Sequence, residues 1–293
     1  METYQAIILG ILQGLTEFLP VSSSGHLALG QQTFGITEPT LFFDVSLHIG
    51  TLMAVVVVFF DEIRSMLQSL FALLGKILKF NKGIMEDTTK NTNKSIREDI
   101  IKQDIIKQAD IKLVMLIIVG SIPTAILGLF FKQYVDILFT SINFVGCMLL
   151  VTGTFLWLTR NLQQSESGIM EMTFKQAIII GICQGVAVLP GISRSGSTIS
   201  ASLFMGINRE TAGRFSFILS IPAIVGAELL SLKDFFDKGI SFDISILYGT
   251  LISFVVGYLA LIVLLRIVRQ GKLYLFAPYC WILGAVAVVC GVM

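Results

Sequence analysis

Charge is what this sequence has least of. Asp, Glu, Lys and Arg make up only 14% of its 293 residues, while hydrophobic residues reach 54%. An average soluble domain carries about 25% charged residues, so this chain is expected to be solvated by lipid. The net charge of +1 gives no sign of a nucleic-acid partner. Cysteine is sparse too: Cys147, Cys183, Cys280 and Cys290 lie scattered in apolar segments, with no CxxC pair. That leaves small, buried hydrophobes as the expectation. A cationic leader is also missing. Glu2 stands where a signal peptide would place Lys or Arg, and a polar patch from Gln13 to Glu17 interrupts the apolar run,. The N-terminal segment is therefore read as part of the fold.

What the chain does have is long apolar runs. A helix needs roughly 20 apolar residues to cross a bilayer. Leu41–Phe60, Leu113–Phe131, Ile142–Leu158, Gly213–Leu232, Ile244–Leu265 and Leu273–Val292 reach or approach that length. The class is an all-α polytopic membrane protein.

It also has an internal repeat. Ala6-Ile-Ile-Leu-Gly-Ile-Leu-Gln13-Gly14 returns as Ala177-Ile-Ile-Ile-Gly-Ile-Cys-Gln184-Gly185, and Pro20-Val-Ser-Ser-Ser-Gly25-His26 as Pro190-Gly-Ile-Ser-Arg-Ser-Gly196. The offset is 171 at Gln-Gly, 170 at proline and 171 again at Ser-Gly, the pattern of one compensated deletion. Each copy is interrupted by a proline, which cannot donate a backbone hydrogen bond, and then by a helix-starting serine cluster. Residues 4–34 and 174–206 are therefore expected to be re-entrant hairpins of two short helices. Non-helical backbone at membrane depth survives only against protein or a wet cavity, so the tips should line a pocket. Each half then holds one hairpin and three spans, 1–160 and 161–293. Three is odd, so the halves should insert with opposite topology, as in folds whose broken helices build a midplane site.

Lys and Arg collect between Arg64 and Lys112 and at Arg160, Lys175, Arg209, Arg266, Arg269 and Lys272. The opposite face carries only Lys132, Lys233 and Lys238 between its spans. Positive residues mark the cytoplasm, which places both termini and the first hairpin's mouth outside. The loop 61–112 departs from the symmetry. Ile63, Met66, Leu67, Leu70, Phe71, Leu74, Ile77 and Leu78 recur at helical spacing, with Lys76, Lys79 and Lys82 nearby, as in an interfacial amphipathic helix,. Asp99-Ile-Ile-Lys-Gln and Asp104-Ile-Ile-Lys-Gln follow, read as a solvated helix.

Chemistry concentrates at the two tips. Gln13 and Glu17 are four apart, so they share a helix face just before the break,. A carboxylate in an apolar segment is costly and marks function. It could bind a divalent cation, which prefers oxygen, or act as a base. Ser22, Ser23, Ser24 and Gly25 start a helix, where free N–H groups favour an anion such as phosphate. A serine there can also be a nucleophile if a base is near. His26 lies three residues past Ser23, on the same helical face. At the second tip Arg194 stands at the repeat position of Ser23, flanked by Ser193 and Ser195 and followed by Gly196. Its guanidinium forks onto phosphate, or pairs with Glu17. Together the tips fit phosphate-ester or pyrophosphate chemistry. A lipid-phosphate flippase or anion transporter on the same repeat is the alternative. Asp44, His48, Thr51 and Glu228 are less informative, and Pro123 and Pro222 read as kinks.

The stretches Gln13-Gly-Leu-Thr-Glu17-Phe-Leu-Pro-Val-Ser-Ser-Ser-Gly-His26 and Pro190-Gly-Ile-Ser-Arg-Ser-Gly196 resemble the undecaprenyl-pyrophosphate phosphatases of the bacitracin-resistance family. Phe43-Asp44, His48-Ile-Gly-Thr51 and Ser220-Ile-Pro-Ala223 match that pattern as well, and the likeness covers almost the whole chain. The family's first motif has Glu or Gln, three residues, then Glu; here it begins with Gln13. The resemblance implies removal of one phosphate from undecaprenyl pyrophosphate in the bacterial plasma membrane, yielding the carrier lipid of peptidoglycan synthesis. It implies Ser23 or His26 as nucleophile, or a water activated there, with His26 in proton transfer. It further implies Arg194 on the pyrophosphate and Glu17 on Mg²⁺ or Ca²⁺, with the neighbouring serines, Gly25, Gly196 and Gln13 around the substrate. The expected partners are the polyprenyl pyrophosphate and membrane lipids, with a homodimer left open and no nucleic acid.

Overall fold

The structure, a computed structural model, describes residues 2–36, 41–80, 94–236 and 244–292. Among those residues every regular element is helical. The chain runs through α1 (Thr3–Phe18), α2 (Ser23–Thr33), α3 (Leu41–Val58), α4 (Phe60–Phe80), α5 (Lys94–Thr140) and α6 (Ile142–Leu158). It continues through α7 (Phe174–Val186), α8 (Arg194–Phe204), α9 (Arg209–Phe236), α10 (Ile244–Arg269) and α11 (Ala277–Val292). The two prolines break the chain where the sequence predicts. At 1.5 Å per residue, α1 is about 24 Å long and α2 about 17 Å, short of a hydrocarbon core of about 30 Å.

Among the described residues five helical runs are long and apolar enough to span a membrane, and α3 with α4 makes a sixth if that bent pair counts as one. The bend there is 76°. Along α5, Ile118, Ile122, Ile126 and Leu129 are each more than half exposed. Their spacing puts them on one face, an apolar stripe that lipid would cover. Pro123 and Pro222 lie inside α5 and α9 without ending either helix.

The two helices expected within the loop 61–112 are α4 and the first turns of α5, into which the Asp99 and Asp104 repeats fall. Ile63 and Met66 of α4 pack on the core while Leu67 and Phe71 stay exposed. Ser65 and Ser69 donate to the buried Asp110 carboxylate of α5 at 2.5 and 3.4 Å, which ties α4 back to the bundle. Lys82 and Lys238 lie outside the described residues. One expectation needs correction: the cysteines, all free, are not uniformly buried, since Cys280 is but Cys147 and Cys290 are exposed on the apolar surface. Lipid accepts a thiol there as readily as the core does.

The helices approach closely because glycines line their contacts. A β-carbon on Gly10 or Gly14 of α1 would come within 2.5 Å of the Gly249 carbonyl oxygen or 2.8 Å of the Gly257 nitrogen of α10. One on Gly181 of α7 would collide with the Gly120 carbonyl of α5. Gly146 of α6 and Gly284 of α11 face each other in the same way. Lipid supplies no hydrophobic drive between helices, so close packing of this kind carries their association. Beneath the first break, Phe18 meets Phe217 edge-on at 5.8 Å, and Phe59 stacks on Phe217 at 6.3 Å.

The two tips touch. Gly191 has φ +92° and sits so close to the Val145 carbonyl that no other residue would fit,. Thr152 of α6 clamps this turn, its hydroxyl donating to the Gly191 carbonyl at 2.9 Å and accepting from the Ser193 N–H at 3.2 Å. From there the Gly191 N–H donates to Ser22 Oγ at 3.2 Å, and Ser195 Oγ donates to the Phe18 carbonyl at 2.8 Å. Residues 169 and 177 apart in sequence thus meet at a single point.

Candidate active site

Glu17, near the end of α1, is the centre of the cluster and is only 9% exposed. The break folds the chain back so that Ser23, the first residue of α2, donates from Oγ to Glu17 Oε2 at 2.6 Å. Gln13, one turn earlier on α1, donates from Nε2 to the same oxygen at 3.1 Å. Arg194, the first residue of α8, donates from Nη2 to Glu17 Oε1 at 2.5 Å. His48 of α3 brings its Nε2 to 3.8 Å from Oε2. An unpartnered carboxylate could not stay ionised at such a place. These donors make the charge tolerable, and the salt bridge weighed for Glu17 and Arg194 is formed.

Two buried polar atoms in this cluster lack a hydrogen-bond partner, Arg194 Nη1 and Gln13 Oε1. One is a donor and the other an acceptor. Buried orphans are uncommon, and each calls for an explanation such as a water, an ion or a ligand. Gln13 Oε1 and the Glu17 carboxylate are oxygen donors of the kind a hard divalent cation takes. Among the described residues no group of three His, Cys, Asp or Glu could hold a metal by itself. A cation here would complete its shell with phosphate oxygens and water, as Mg²⁺ commonly does.

The neighbouring serines divide into structural and open groups. Ser193 caps α8, its Oγ accepting from the Gly196 N–H at 3.1 Å and lying 3.3 Å from Ser195 Oγ. Ser22 does not cap α2; its hydroxyl is drawn to Gly191 and lies 3.3 Å from Ser24 Oγ. The first turn of α2 therefore gets no cap from Ser22. Gly25 and Gly196 pack close to Val145 and Pro20, so both tips stay narrow.

His26 is not hydrogen-bonded to Ser23. Its Nδ1 lies 2.8 Å from the Ser22 carbonyl and its Nε2 2.6 Å from the hydroxyl of Tyr279 on α11. Glu17, rather than His26, is thus the group in reach of the Ser23 proton. Tyr279, 253 residues away, is the neighbour sequence reasoning missed, and nothing in its local sequence marks it. Of the less informative residues, His48 reaches Glu17. Glu228 keeps a buried, unpartnered Oε2 within electrostatic range of His48 and Glu17. Asp44 accepts from Gln31 at 2.5 Å, and Thr51 donates to its own helix.

A hydroxyl on a carboxylate is an activated nucleophile in the making, and an Arg with a free face is a phosphate clamp. The family description that matches this sequence, over residues 6–286, is bacitracin resistance protein BacA. The chain belongs to the BacA family. Relatives include an undecaprenyl-diphosphatase of Desulforapulum autotrophicum, 55% identical over 99% of both chains. Another, of Desulfosudis oleivorans, is 54% identical over the same share. A third, of Halothermothrix orenii, is 42% identical over 99% of this chain and 98% of its own. In this BacA chain the two tips are not equivalent. At the repeat position of Glu17 stands Val188, and Gln184 spends its amide on the Leu219 carbonyl at 3.2 Å. The acid belongs to the first tip and the Arg to the second.

Proposed function

We propose that this protein hydrolyses undecaprenyl pyrophosphate to undecaprenyl phosphate and inorganic phosphate at the junction of the two tips. The observation that carries the reading is the Ser23 hydroxyl held 2.6 Å from a buried carboxylate that is itself paired with Arg194. Ser23 Oγ attacks the terminal phosphorus, and its proton passes to Glu17. The P–O bond to the bridging oxygen breaks, and undecaprenyl phosphate leaves with that oxygen. Water then attacks the phosphoserine: Glu17 returns the first proton to the departing Ser23 Oγ and takes one from the water, inorganic phosphate leaves, and Glu17 gives that proton up to solvent. Arg194 meets the phosphate with the Nη1 face that has no partner in the free protein. Phosphoryl transfer gains little from covalent help and much from positioned positive charge, which is why the Arg sits beside the serine. Glu17 and Gln13 would hold Mg²⁺ or Ca²⁺ together with the substrate's phosphates. When bound, the cation supplies further positive charge against the transferring group.

The names of the relatives support the polyprenyl pyrophosphate as substrate. The apolar surface suits its tail, which would lie between helices while the pyrophosphate reaches the tips. A flippase or anion transporter would need the anion site but has no use for a hydroxyl on a carboxylate. The inverted repeat, with halves 1–160 and 161–293, is part of the same proposal. It draws support from equivalent contacts: α1 lies along α10 as α7 lies along α5, and α6 lies along α11. A bacterial plasma-membrane location belongs to the same proposal and is what the family resemblance implies, while the Lys and Arg bias puts the first hairpin's mouth outside.

The test is phosphate release from undecaprenyl pyrophosphate by purified protein in detergent, where there is no second compartment. Wild type should release phosphate. Ser23→Ala should bind the lipid with little change and release phosphate at least about 10²-fold more slowly. Turnover by Ser23→Ala at the wild-type rate would remove the serine nucleophile.

A further inference from the structure

We infer that Tyr279 is a positioning residue for the nucleophile, acting through His26 and the backbone of Ser22. The inference rests on the serine reading above and adds the part of the protein that sets the serine in place. A carbonyl oxygen can only accept, so the His26 Nδ1 beside the Ser22 carbonyl must carry the proton,. In the neutral ring Nε2 is then the acceptor, and the Tyr279 hydroxyl 2.6 Å away donates to it,. The two rings lie nearly parallel, 14° apart with centroids at 5.8 Å, so they are packed as well as bonded. Tyr279 thereby holds His26 in the Nδ1–H tautomer with both nitrogens occupied.

The residue His26 grips is unusual. Ser22 has φ 70° and ψ 92°, and it is the one non-glycine with positive φ among the described residues. That conformation is sparsely populated for residues with a β-carbon and persists only where surroundings over-determine it. Its contacts do so here: the His26 ring holds the Ser22 carbonyl at 2.8 Å, closer than the His26 backbone N–H at 3.4 Å, and the Gly191 N–H and Ser24 Oγ flank its Oγ at 3.2 and 3.3 Å. The turn at Ser22 is what aims the next residue, Ser23, back at Glu17 on the preceding helix. The line of support runs from Tyr279 on α11 through the imidazole and the Ser22 carbonyl to the Ser23 hydroxyl. Three of its four members come from the first tip, and the last comes from the C-terminal helix.

The experiment combines turnover with a spectrum that does not need turnover. The protein has only two histidines, so a sample labelled with ¹⁵N at histidine shows two rings, and a His26→Gln sample assigns them. In wild type the His26 ring should read as the Nδ1–H tautomer with a hydrogen-bonded Nε2. Tyr279→Phe should shift that Nε2 resonance and lower kcat roughly tenfold with KM little changed, the size of one lost positioning hydrogen bond. In a Ser22→Gly background, where glycine adopts positive φ freely, the same change should cost less than about twofold.

An Nε2–H tautomer in wild type would overturn the inference, even if Tyr279→Phe did not fold. So would an unshifted Nε2 resonance in Tyr279→Phe, or an equal loss of kcat in both backgrounds. Failure of the underlying serine reading looks different, because it shows as full turnover by Ser23→Ala while the Nε2 shift remains.

Discussion

Glu17→Gln is the most informative single change, because three donors converge on this carboxylate. Ser23 and Gln13 bond to Oε2, and Arg194 bonds to Oε1. Glutamine keeps the shape but offers only one acceptor oxygen and adds an NH₂ group. If its oxygen faces Arg194, its NH₂ faces the Ser23 hydroxyl, which must then accept and can no longer pass on its proton. A general base is worth about 10²–10⁴ in rate, or about 3–5 kcal/mol in the barrier. We predict a fall of that size in the single-turnover rate of phosphate release. Binding measured without divalent cation, so that the proposed metal role of Glu17 does not enter, should move the other way or not at all. Arg194 loses its counter-charge and keeps its guanidinium for the substrate, so the lipid pyrophosphate should bind as tightly as to wild type or more so. The assay is single-turnover phosphate release beside a direct binding isotherm, on protein shown by size-exclusion to be folded. A rate within threefold of wild type would refute the base assignment. A Kd weakened in step with the rate would refute it too, since Glu17 would then be a binding group only.

The remaining predictions concern charge, metal and topology. Arg194→Ala should weaken both binding and turnover, and Arg194→Lys should recover only part, because lysine keeps the charge and loses the fork; equal activity of the Ala and Lys variants would sink the clamp. Chelation should abolish phosphate release and added Mg²⁺ or Ca²⁺ should restore it, whereas full activity in chelator would remove the metal role of Glu17 and Gln13. Single cysteines in a cysteine-free background should label from outside at position 2 and from inside at position 165. Labelling of position 165 only from outside would reverse the orientation drawn from Lys and Arg.

Much of the architecture follows from the order of residues alone. Lipid accepts only helices whose backbone is internally bonded, so apolar length translates almost directly into spans. Pro20 and Pro190 lie in the breaks between α1 and α2 and between α7 and α8, where the missing N–H bars a continuous helix for a local reason,. The repeat offset and the family motifs by themselves point to Glu17, Ser23 and Arg194. What the order of residues could not decide was which groups pair. On a helix Ser23 and His26 share a face, yet Ser22 turns through positive φ and aims Ser23 at Glu17 instead. His26 takes its second partner from Tyr279, 253 residues on, and the Glu17 charge is balanced by an Arg 177 residues away. Those pairings depend on how α1, α8 and α11 are brought together. That is set by glycine contacts such as Gly10 on Gly249 and Gly146 on Gly284, whose periodicity is indistinguishable from that of any apolar helix. Local chemistry is written in the neighbouring residues; the meeting of two tips is written only in packing.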